Sequence, residues 1–156
     1  MLFRALFIVS VLGASAPAAA AAPGAEVPVL AFINEAWNQG NFSHMSTSFA
    51  PVFHLHFRGQ DIPLDSESGK AIVLRWRTAF PDFHFKVEDL VVQGDTVAVR
   101  LTFTGTMTGP FNKDQPTGKR MSVTQQLFCR VKDGRVTEIW EDYDELGMRR
   151  QLGILH

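Results

Sequence analysis

The chain has 156 residues, about one domain's worth, with 46% apolar and 20% charged residues, so it can bury a core. Fifteen Lys and Arg against sixteen Asp and Glu leave a net charge of −1, without the basic excess of a nucleic-acid binder. A single cysteine, Cys129, excludes an intramolecular disulfide and any metal site built on two or four cysteines.

Residues 1–22 read as a secretory signal peptide: Arg4, an apolar run from Ala5 to Ala14, then Ala-x-Ala patterns ending at Ala20 and Ala22. The run falls short of the roughly 20 residues a membrane span needs. Cleavage between Ala18 and Pro23 is expected, leaving a single exported domain over residues 23–156 and no membrane-bound part. Val29, Leu30, Ile33, Ala36 and Trp37 repeat at helical spacing, so Glu26 to Gln39 is predicted as an amphipathic helix ended by Gly40. Asn41 to Phe49 fits a second, short helix. Val52 to Arg58 alternates as a strand, with Phe53, Leu55 and Phe57 on one face and His54, His56 and Arg58 on the other. Ser66 to Phe80 carries Ile72, Val73, Trp76 and Phe80 on one helical side, with Ser66 or Ser68 as the cap.

From Asp82 the period becomes two. Phe83, Phe85 and Val87 lead to a turn at Gly94-Asp95, and Val97, Val99, Leu101 and Phe103 follow on the next strand. A loop spans Gly105 to Gly118. A long strand covers Lys119 to Val131, Asp133-Gly134 turns the chain, and Arg135 to Tyr143 is the last strand. Asp144 to Leu152 closes the chain as a helix. Helices followed by antiparallel hairpins predict an α+β fold, its curved sheet wrapped around the N-terminal helices to leave a pocket.

The order Gly94-Asp95, Val97-Ala98-Val99-Arg100, Pro116-Thr117-Gly118-Lys119, Asp133-Gly134-Arg135, Trp140, Asp144 and Gln151-Leu152-Gly153 resembles the SnoaL-type polyketide cyclases, also called ester cyclases. The resemblance runs from Phe80 to Gly153. It implies the NTF2-like fold, a cone-shaped α+β barrel. It also implies cofactor-free, metal-free acid/base chemistry, aldol-type cyclisation or isomerisation, on a hydrophobic carbonyl compound. In that family an acid on the last strand before the QLG segment carries proton transfer, which by spacing is similar to Asp144 here. Many relatives read GTHTG where this chain has Gly105-Thr106-Met107-Thr108-Gly109, so if that imidazole takes part in catalysis this chain has lost the group or uses another, such as His56 or His54.

Each candidate has a plain structural alternative. Asp144 also suits a helix N-cap. His54 and His56 share a strand face and have ligand-like spacing, but no third ligand is fixed by the sequence, and no metal is expected. Arg100 and Arg130 can position a substrate carbonyl, or face solvent or a second subunit. Phe53, Met107 and Trp140 are the remaining candidates for substrate contact. Cys129 shares a face with Leu127 and Val131 and reads as a buried thiol. The expected partners are a small hydrophobic carbonyl compound and a second copy of the chain. The competing class is a non-catalytic module that holds an apolar ligand or dimerises.

Overall fold

The computed structural model describes residues 24–155. The expected signal peptide, 1–22, lies outside them. Helix α1 (Glu26–Ala31) runs directly into a π-helical stretch, Phe32–Gln39, which ends at Gly40 in a left-handed conformation. Then follow α2 (Met45–Ser48), β1 (Phe49–Phe57), β2 (Gln60–Leu64), α3 (Ser66–Ala79), β3 (His84–Gln93), β4 (Thr96–Thr106), β5 (Arg120–Lys132), β6 (Arg135–Tyr143) and α4 (Glu145–Leu152). The six strands form one sheet in the order β2-β1-β6-β5-β4-β3. Every neighbouring pair is antiparallel except β1 and β6, which run parallel.

The α+β architecture of helices against one mostly antiparallel sheet is the one the sequence predicts. Three local readings differ. The first helix is α-helical only to Ala31; its wider continuation brings Phe32 and Trp37, five residues apart, into edge contact at 6.1 Å. Helix α3 is capped by Asp65, whose carboxylate accepts from Ser68 N at 2.8 Å, and not by either serine. Strand β2 is additional: Pro63 masks it in the sequence, and proline is tolerated because β2 is a sheet edge. Arg58 and Gly59, both at positive φ, turn β1 into β2.

Inward residues of the sheet and the helix faces share one core, which includes Val29, Ile33, Phe49, Val73, Phe80, Leu101, Phe103 and Leu152, each at most 2% exposed. Strand β5 shows the pattern most plainly. Met121, Val123, Gln125, Leu127, Cys129 and Val131 are buried, and most of the residues between them are exposed. Trp76 of α3 sits among Trp37, Phe83, Phe103, Phe111 and Tyr143 at ring distances of 4.7–6.3 Å. No helix among the described residues is long and apolar enough to cross a membrane.

Candidate active site

The helices do not fill the concave side of the sheet. A cavity of about 740 Å³, counting its open mouth, lies between them. Phe32, Ile33 and Trp37 of the π-helical stretch and Ile72 and Trp76 of α3 form one wall. Phe53, Leu55, Phe85, Phe103, Leu127 and Ile139 of the sheet form the other. The widened π turn matters here, because it presents three large side chains to the cavity from within eight residues.

Against this apolar lining stand three polar side chains: Gln125, Glu141 and Tyr143. Glu141 and Tyr143 share the inward face of β6 with Ile139, about 6.6 Å apart along the strand. Gln125 lies inward on β5, 6% exposed, and pairs across to Tyr143. Its Nε2 donates to Glu141 Oε2 at 3.2 Å. Burial, joined by the charge of Asp142, pushes the Glu141 carboxyl up to about 7, and the bond from Gln125 opposes that shift. Tyr143 is pushed up as well, by burial and by Glu141, with Arg58, Arg149 and Arg75 acting against it. It therefore stays a neutral phenol and a hydrogen-bond donor at neutral pH. The cavity thus holds a carboxyl with a near-neutral pKa and, two residues further along the same strand face, a phenol that can donate.

Most of the candidates read from the sequence lie elsewhere. Asp144 follows the end of β6 and does not line the cavity; its Oδ1 accepts from Gly147 N at 2.8 Å and caps α4. The strand ends one residue before it, so the α4 backbone, not the cavity, receives its carboxylate. His54 and His56 point to the outer side of the sheet, since Phe53 and Leu55 occupy the inward positions. His54 Nδ1 lies 2.7 Å from Asp61 Oδ1, and His56 Nε2 lies 3.1 Å from Glu138 Oε2. Trp140 is also outward and stacks on His56 at 4.5 Å. Arg100 is bound to Asp89 at 2.7 Å and Arg130 to Asp95 at 2.8 Å, both away from the cavity. Met107 is fully buried in the core, with Thr117 Oγ1 at 3.8 Å from its sulfur. Of these candidates Phe53 alone lines the cavity. Cys129 is buried, and burial pushes its thiol up to about 12.

The polar trio has a signal in the sequence. Gln125 interrupts the buried positions of β5, and Glu141 falls at the same parity as Ile139 and Tyr143. A polar residue in an otherwise apolar alternation marks an inward polar group. Among the described residues no group of three or more His, Cys, Asp or Glu is placed to hold a metal ion.

The SnoaL-like polyketide cyclase family model matches residues 28–152, which takes in the π-helical stretch, the whole sheet and α4. The chain belongs to the SnoaL-like polyketide cyclase family. No curated protein sequence matches it significantly. Among solved structures, TsrD from Streptomyces laurentii is similar at 29% identity and a TM-score of 0.75, over 85% of this chain and 96% of that one. Wild-type IdmH from Streptomyces antibioticus, a candidate polyketide cyclase, matches at 30% identity and a TM-score of 0.72, over 83% and 98%. A candidate SnoaL-like polyketide cyclase from Jannaschia sp. CCS1 matches at 25% identity and a TM-score of 0.77, over 86% and 97%. The SnoaL-like cone is therefore the fold of the described chain, and the cavity lies on its concave side.

Proposed function

We propose that this SnoaL-like protein catalyses an aldol-type cyclisation or isomerisation of a hydrophobic carbonyl compound, using its own side chains for proton transfer. The observation that supports this is Glu141, a carboxyl with a near-neutral pKa inside an apolar cavity. A general base works best when its pKa lies near the working pH. In this reading the Glu141 carboxylate removes a proton α to a carbonyl. The phenol of Tyr143 donates to the enolate oxygen as charge gathers there. The carbanion attacks a second carbonyl of the same molecule, and the proton held by Glu141 passes to the resulting alkoxide. Gln125 ties down one carboxylate oxygen, which limits the orientations of Glu141. The aromatic walls take an apolar skeleton and exclude water from the enolate.

Proton exchange into deuterated water at the α-carbon of an apolar β-keto ester tests the base without knowledge of the natural substrate. Glu141→Gln is expected to slow exchange about 10²–10⁴-fold, and Asp144→Asn is expected to leave it unchanged. Equal exchange in wild type and Glu141→Gln would leave the cavity as a binding pocket. A loss confined to Asp144→Asn would return the role to Asp144.

A further inference from the structure

The open side of the cavity carries a charge imbalance that the proton-transfer reading does not use. Leu64 of β2, Ile72 and Trp76 of α3 and Tyr143 of β6 line the cavity and are partly exposed, so the cavity opens between these elements. Three guanidinium groups border this opening, each from a different element. Arg58, in the turn after β1, lies over the Phe57 ring at 5.0 Å, and Phe57 stacks on Tyr143 at 5.6 Å. Arg149 of α4 lies 3.7 Å from Asp114, in the loop whose Phe111 packs on Trp76 at 4.7 Å. Arg75 stands on α3 three residues after Ile72 and next to Trp76, so it borders the helix face that walls the cavity. All three act on the Tyr143 phenol, each favouring its ionised form.

Among the described residues two carboxylates answer these three cations. Glu145 pairs with Arg58 and, at 3.1 Å, with Arg149, which also faces Asp114. Arg75 makes no ion pair or hydrogen bond among the described residues. The positions three and four away from it on α3, Ala71, Ile72, Thr78 and Ala79, hold no acid that could reach it. Water solvates its guanidinium at an exposed site. A ligand that fills the cavity displaces water from this rim, and a charge pair made there is strengthened.

We propose that Arg75 binds a carboxylate of the ligand, so that the cavity takes an apolar carbonyl compound with an acid group at the end that faces the mouth. One surplus guanidinium matches one singly charged carboxylate, and its planar fork suits both oxygens. The apolar end then lies against Phe53, Phe85 and Phe103. The reverse orientation sets the ligand's carboxylate beside the Glu141 carboxyl, and like charges oppose it. This assignment deepens the reading of the cavity as a site for a hydrophobic carbonyl compound and rests on it.

Calorimetric titration of the full chain with β-benzoylpropionate and with its methyl ester tests the proposal. Wild type is expected to bind the acid about threefold to tenfold more tightly than the ester, with the difference shrinking as salt is added. Arg75→Gln is expected to bring the two affinities to a ratio of about one by weakening the acid alone, and Arg75→Glu to favour the ester. Proton exchange of a neutral β-keto ester is expected to be unchanged in Arg75→Gln, which separates this test from that of Glu141. Equal binding of acid and ester by wild type, or a preference for the acid that survives Arg75→Gln, would overturn the proposal and leave Glu141 untouched. A wild type that binds neither ligand would overturn it together with the reading of the cavity.

Discussion

At the residue scale the decisive difference is between two acids three positions apart. Asp144 is exposed and accepts a backbone N–H, whereas Glu141 is surrounded by apolar walls. Their consequences for stability have different origins. Asp144→Ala is expected to cost about 1 kcal/mol as a lost helix cap, with Asp144→Asn close to neutral, in urea denaturation. Glu141 stores an unfavourable desolvation. Its folded pKa, about 7, lies above its ordinary value of 4.5, so the folded state binds more protons than the unfolded state between those values. Stability is then lost as pH rises from about 4.5 to 7. Glu141→Gln is expected to be more stable than wild type by roughly 1–3 kcal/mol at pH 8, and the gap is expected to close at acid pH. A Glu141→Gln variant that is less stable than wild type at pH 8 would refute the desolvation account. Cys129 is held as a buried thiol, so it is expected to react with a thiol reagent only when the chain unfolds.

At the element scale the structure departs from a simple reading of period. The stripe of Ile33, Ala36 and Trp37 marks a helix correctly, but nothing in its spacing separates an α turn from the π turn that the cavity wall requires. Strand β2 is hidden by Pro63, which only an edge position permits. The loop after β4 is held to α3 by Thr108 N and Gly109 N, which donate to Ala79 O at 3.1 and 3.0 Å. A Cβ at Gly109 would run into the Thr78 carbonyl oxygen. Gly109→Ala is therefore expected to destabilise the fold by about 1–3 kcal/mol, read as a lowered Tm. A Tm equal to that of wild type would show that the loop can shift away.

At the scale of the whole molecule, one core and one sheet tie distant parts of the described chain together. Strands β1 and β6 pair in parallel although His56 and Glu138 are 82 residues apart in the sequence. Such a topology is expected to unfold in one step, with tryptophan fluorescence and far-ultraviolet circular dichroism giving coincident transitions. Separate transitions would mean that the helices leave the sheet before it melts. Export remains a proposal from residues 1–22 alone, and N-terminal sequencing of protein from the native host is expected to begin between residues 19 and 23.

Local chemistry was enough to read the later hairpins, α3 and α4, and the two faces of each strand. Alternation with period two needs no knowledge of the rest of the chain, and the Asp133-Gly134 turn carries its own backbone preference. The family too was legible, because its motifs are local and ordered along the chain. Which acid enters the cavity depends on where β6 ends and α4 begins, since one residue's difference turns a carboxylate from the interior toward a helix N-terminus. His56 looks like a catalytic imidazole along the chain. Only the assembled sheet stacks it on Trp140, on the face opposite the cavity. Short-range sterics and periodicity act within a few residues and can be read from them, whereas burial and pairing between distant segments exist only once the chain has folded.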